Sequence, residues 1–147
     1  MPTFALTLAL ALVVSASGQG LVEGPVAGRY ALDPAPNYSE AVVAGNLAFL
    51  SGTGGDAETI EEAVMQTMMS LNDTLATLGA SVDNAVSARV FLSNISNWAA
   101  MNPVYRSFFT GSRPARTAIQ AELVGGGLVE IDMIAVLPNG APGAASA

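Results

Sequence analysis

The sequence predicts a small α/β (α+β) domain: a mixed β-sheet with two helices on one face, in the order β-β-α-β-α-β-β. Three observations predict it. Two runs with apolar residues every three or four positions lie among short runs in which apolar residues alternate, and these are the periods of helix and strand. Glycine and asparagine punctuate the chain between those runs. The 147 residues are 51% hydrophobic and 12% charged, enough for one sizeable core with apolar surface to spare.

Glu40–Ala44 and Leu47–Ser51 are β-prone runs separated by Gly45-Asn46, a hairpin turn signal in which both residues tolerate positive φ. Thr59 and Glu62 form a T-x-x-E capping box. Ile60, Val64, Met68, Leu71, Leu75 and Leu78 then recur at helical spacing, and Gly79 suits the stop. Val86, Ala88, Val90 and Leu92 alternate as in a strand. Asn97 can cap a second helix carrying Trp98, Met101, Tyr105 and Phe108-Phe109, stopped by Gly111. Ala115–Leu123 and Leu128–Leu137 are two more strands, joined by Val124-Gly125-Gly126-Gly127. A regular hairpin there pairs Leu123 with Leu128 and sets Arg116 opposite Ala135, several residues from Glu130. Two helices cover one face of such a sheet, so the other face needs cover from further subunits.

The ends read differently. Residues 1–17, MPTFALTLALALVVSAS, are a short apolar stretch leading into small residues. That is the pattern of a secretory signal peptide, and it is too short for the roughly 20 residues that span a bilayer. Export to the periplasm or beyond is the expectation, with a cytoplasmic location as the alternative if the head is not a signal. Residues 18–37 are rich in Gly and Pro and read as a leading segment or linker. The domain is expected over 38–138, and residues 139–147 read as a disordered tail.

Charge and residue types exclude several functions. The net charge is -7, with five Arg (Arg29, Arg89, Arg106, Arg113, Arg116) and no Lys. Nucleic-acid and anionic-membrane binding need clustered cations, so neither partner is expected. The chain has no Cys and no His. This removes thiol nucleophiles, Ser-His-Asp triads and most zinc or haem sites, so no metal is expected. Any chemistry falls to carboxylates, Arg, hydroxyls and backbone groups.

Several segments, in order, resemble the RidA/YjgF family. They are Tyr38-Ser39-Glu40-Ala41-Val42, Gly45-Asn46-Leu47 running into Leu50-Ser51-Gly52, and Arg89-Val90-Phe91-Leu92 followed by Met101-Asn102-Pro103-Val104-Tyr105. Arg113-Pro114-Ala115-Arg116-Thr117 and Val129-Glu130-Ile131-Asp132-Met133-Ile134-Ala135-Val136 complete the set. The resemblance implies a chorismate-mutase-like fold and a homotrimer with ligand sites between subunits. For active members it implies hydrolysis of enamines and imines, such as 2-aminoacrylate, to 2-keto acids and ammonia without a cofactor.

By the same resemblance, Arg116 holds the substrate carboxylate, for which a guanidinium offers two parallel hydrogen bonds. Glu130 stands near the ligand, where a carboxylate can orient or activate water. Asp132 shares its strand face and reads as structural. Tyr38, Ser51, Gly52, Asn102 and Tyr105 match pocket-lining positions, and Thr117 offers a backbone N–H beside Arg116. Many members carry Cys two residues after the Arg, where this chain has Ala118. They also carry a longer loop after Ser51-Gly52; here only Thr53–Glu58 remains, which shortens a wall near the pocket.

Three functions compete. An imine deaminase uses Arg116 to fix the carboxylate and Glu130 to position water. A non-catalytic trimer captures small keto or carboxylic acids with the same Arg116. A ribonuclease, an activity attached to some family names, is disfavoured by the acidic balance and the absence of Lys and His.

Overall fold

A computed structural model describes residues 13–14, 20–23, 29–34 and 36–140. Among these residues eight strands form one sheet: β1 (Val13–Val14), β2 (Gly20–Glu23), β3 (Arg29–Pro34), β4 (Ser39–Ala44), β5 (Leu47–Gly54), β6 (Ala85–Leu92), β7 (Ala115–Gln120) and β8 (Val129–Val136). Helices α1 (Ile60–Thr77) and α2 (Trp98–Ser107) cover one face. The sheet order is β1-β2-β3-β4-β5-β8-β6-β7. Most of the apolar head 1–17 and the tail from 141 on lie outside the described residues. Strands β2 and β3 fall in the segment read as a linker, and β3 pairs along β4, so the sheet starts ahead of residue 38.

The local signals in the middle of the chain produce the elements expected of them. Gly45 turns the β4–β5 hairpin at φ 62°. The Thr59 hydroxyl accepts from the Glu62 N–H at 3.3 Å, satisfying one of the orphan donors at the start of α1. Gly79 at φ 74° ends α1: its N–H donates to the Ala76 carbonyl at 3.0 Å, and that of Ala80 to Leu75 at 2.9 Å. Ile60, Val64, Met68, Leu71 and Leu75 are buried, as their spacing requires. The cap ahead of α2 is shifted. Asn97 makes no side-chain cap bond; Asn94 accepts from the Ser96 N–H at 2.9 Å and caps a single 3-10 turn leading into the helix.

The connection at 121–128 is the main correction. β7 and β8 do not pair. β6 lies between them, parallel to β7 and antiparallel to β8. The chain leaves β7 over the end of β6, where the Ala121 N–H donates to the Leu92 carbonyl at 3.0 Å and that of Ser93 to the Leu128 carbonyl at 3.1 Å. The physical reason is the pair of helical crossovers. β5-α1-β6 joins parallel strands one place apart and leaves a slot between them. β8 takes the slot, because its alternate residues Val129, Ile131, Met133 and Ala135 are fully buried against the helix side. β7, with little burial on either face, takes the edge.

The core lies between sheet and helices, and it joins Leu50, Val90, Leu92, Ile131 and Met133 to Met68, Leu71, Leu75, Met101 and Tyr105. Among the described residues the opposite face carries no helix. Phe49 is 42% exposed there and Ile119 46%, with half-buried Val42, Phe91 and Ile134 between them in the register of the strands.

Candidate functional site

Arg116 lies on edge strand β7, paired with Ala88. Alternation turns its side chain to the helix side, where α2 presents Met101, Asn102 and Tyr105 within little more than one turn. Its Nη2 donates to Asn102 Oδ1 at 2.8 Å, and its Nη1 lies 4.0 Å from Met101 Sδ. Its Cζ sits 4.7 Å from the centre of the Tyr105 ring. Tyr105 is held in turn against Phe109, with ring centres 5.0 Å apart. No carboxylate among the described residues forms an ion pair with Arg116. A half-buried guanidinium is thus aimed by an amide, a sulfur and an aromatic face, with donors left for an anion.

This cluster reassigns two of the expected pocket residues. Asn102 accepts from Arg116, so its amide oxygen positions the guanidinium. The Tyr105 hydroxyl is buried and has no partner among the described residues. Burial raises its pKa, against a weaker opposing pull from Arg116, and keeps the phenol neutral. The part of Tyr105 that meets Arg116 is its ring.

A second cluster surrounds Glu130. Its strand alternates buried and half-buried residues, and Glu130 falls on the face away from the helices. It stands in register with Phe91 on β6 and Gly54 on β5, and its carboxylate lies over Gly52. The Ser51 hydroxyl donates to the Ser39 carbonyl at 2.6 Å. Its single proton is therefore engaged, and toward a ligand it acts as an acceptor. Tyr38, adjoining Ser39, is 65% exposed. Asp132, on the same face as Glu130, pairs with Arg89 at 2.9 Å and holds the Arg89 guanidinium above its usual pKa, chiefly through their hydrogen bond.

The structure gathers Tyr38, Ser51, Gly52 and Glu130 in one place, and Asn102, Tyr105 and Arg116 in another. It does not bring the two groups together. Arg116 aligns through Ala88 with Met133, three residues along β8 from Glu130. Two strand spacings across and three residues along separate the two Cα atoms by about 14 Å. Their side chains also leave the sheet on opposite faces. Thr117 pairs with Arg89, and its side chain points to the face away from Arg116.

Met101 was not singled out as a site residue by sequence reasoning; its place ahead of Asn102, one turn before Tyr105, was the available signal. The shortened Thr53–Glu58 loop borders a groove of about 640 Å³ with Val124–Leu128, and its charged lining residues are Asp56 and Glu58. A carboxylate ligand has no counter-ion there. Among the described residues no cluster of acidic, His or Cys side chains could hold a metal, and no helix is long and apolar enough to cross a membrane.

Comparison with known proteins bears on what such an arrangement does. The family model described as Endoribonuclease L-PSP matches residues 28–137. A 2-iminobutanoate/2-iminopropanoate deaminase of Capra hircus is 37% identical over 109 residues, covering 67% of this chain and 79% of the relative. Protein mmf2 of Schizosaccharomyces pombe, described as mitochondrial, is 34% identical over 108 residues, covering 67% of this chain and 86% of the relative. A YjgF-family crystal structure from Neisseria meningitidis superposes with a TM-score of 0.68 at 33% identity, over 71% of this chain and 90% of the other. None of these names supports export.

Proposed function

We propose that this chain, which belongs to the endoribonuclease L-PSP family, also called RidA/YjgF, hydrolyses reactive enamines and imines of the 2-aminoacrylate and 2-iminobutyrate type, the enamine as its imine tautomer, to 2-keto acids and ammonia. The observation that carries this reading is Arg116, a guanidinium held by Asn102 and Tyr105 with no carboxylate among the described residues to neutralise it. Arg116 takes the substrate carboxylate. Glu130 accepts a proton from water as the water oxygen bonds to the imine carbon. The C=N double bond becomes single, and the nitrogen takes up the proton that Glu130 accepted. Collapse of this adduct passes the hydroxyl proton to the nitrogen through the Glu130 carboxylate as the C–N bond breaks, which releases ammonia and leaves the ketone. The substrate is already activated, so positioning suffices and no cofactor is required.

In this reading the active form is a homotrimer. Arg116 and Glu130 are too far apart to act on one small substrate within a chain, so the Arg116 half of one subunit faces the Glu130 half of the next. The uncovered apolar face around Phe49, Phe91, Ile119 and Ile134 supports such assembly. The purified protein should release ammonia and 2-ketobutyrate from 2-iminobutyrate generated in situ. Saturable 2-ketobutyrate binding without turnover would establish the capture protein instead. For the apolar head, removal on export remains a proposal resting on composition, and mass spectrometry of the chain expressed with its native N-terminus tests it.

A further inference from the structure

We propose that Gly52 is a positioning residue for Glu130, setting where its carboxylate stands by having no side chain; the proposal rests on the reading of Glu130 given above. Strand β5 bulges ahead of Gly52. Leu50 pairs with Met133 and Thr53 with Ile131, so β5 uses three residues where β8 uses two. The extra residue carries the Gly52 backbone beneath the Glu130 side chain. A Cβ on Gly52 would collide with Glu130 Oε1, and would lie 2.9 Å from its Cδ and 3.2 Å from its Cγ. The whole carboxylate end therefore occupies the space that any other residue at position 52 would fill.

What a Cβ meets distinguishes this glycine from its neighbour in the next loop. At Gly55 a Cβ would meet the backbone of Ala63, 2.9 Å from both its Cα and its carbonyl carbon. That contact is relieved only by moving α1, so Gly55 serves the fold. At Gly52 the three nearest atoms all belong to one flexible, half-buried side chain, that of Glu130. A methyl group there displaces the carboxylate and leaves the sheet intact. On the far side, Phe91 stands in register with Glu130, and the carboxylate lies between that ring position and the bulge. Arg116, on the other face, is untouched.

A double-mutant cycle tests this. Gly52→Ala should melt with the wild type, lower kcat for 2-iminobutyrate roughly 10- to 100-fold, and leave KM little changed, because a displaced group loses orientation while Arg116 still anchors the substrate. Gly111→Ala, where a Cβ meets nothing within 4 Å, is the control and should turn over normally. In a Glu130→Gln background, Gly52→Ala should add no further loss. Multiplicative losses, or full kcat in Gly52→Ala, overturn the proposal. Wild-type turnover by Glu130→Gln instead removes the role given to Glu130. Crystal structures of wild type and Gly52→Ala read the carboxylate directly, with or without turnover, and an unmoved carboxylate would sink the idea.

Discussion

At the scale of single residues, the proposed function turns on Arg116. Arg116→Ala should abolish imine hydrolysis in a protein that still folds, since Arg116 ties together no buried carboxylate. Arg116→Lys keeps the charge and loses the planar fork; the missing charge-assisted hydrogen bond is worth about 1.5–3 kcal/mol, roughly ten- to a hundredfold in kcat/KM. Full activity in either variant would remove Arg116 from the site. Tyr105→Phe is the contrasting case. Its hydroxyl is buried with no partner among the described residues, and a group in that state carries a desolvation cost of about 1–3 kcal/mol. Deleting it should leave the melting temperature unchanged or raised, while the ring keeps its contact with Arg116. A clear loss of stability on calorimetry would show that the hydroxyl has a partner.

At the scale of elements, the connections decide more than the strands do. Thr59→Ala removes the cap on α1 and should cost about 1 kcal/mol of stability in urea unfolding, with kinetics unchanged. Asp83 ties the turn before β6 to the segment after α2, accepting from the Thr110 hydroxyl and from its N–H at 2.9 Å. Those bonds, the hydroxyl's first, lower its pKa below the ordinary 3.8. A depressed carboxyl stabilises the fold above that value and stops doing so as pH falls through its lowered pKa. The contribution should therefore be flat from neutrality down to about pH 5 and fade only in stronger acid. Thr110→Val should flatten the acid limb of a stability–pH curve, and an identical limb in both proteins would exclude this contact as its source.

At the scale of the molecule, the proposed reaction and the proposed trimer are tested together, because Arg116 and Glu130 lie on opposite faces of the sheet. Light scattering should give a trimer at micromolar concentration. The uncovered face is largely apolar, so the assembly should survive high salt, which screens exposed charge pairs. Phe49→Asp puts a charge in the middle of that face without entering the core, Phe49 being 42% exposed. It should yield a folded monomer with no turnover. A monomer with full activity would show that one chain carries a complete site. RNA should not shift in a gel at low salt, where attraction by five scattered Arg is greatest.

Period, caps and turn residues were legible in the sequence, because each is settled within a few positions of chain. The hairpin at Gly45-Asn46, the start of α1 at Thr59, its end at Gly79 and the alternation in β8 all depend on local sterics and local hydrogen bonds. The motif around Arg116 and the acid at Glu130 were equally visible, as was Asp132 as a structural acid. Strand neighbours were not. Whether β8 lies beside β7 or enters between β5 and β6 depends on which placement buries Val129, Ile131, Met133 and Ala135 under α1, a sum over contacts from the whole chain. That choice put Arg116 level with Met133 and two strands from β8, instead of opposite Ala135 on an adjoining strand; the opposite faces of Arg116 and Glu130 follow from either register, because Ala135 and Met133 both lie an odd number of residues from Glu130.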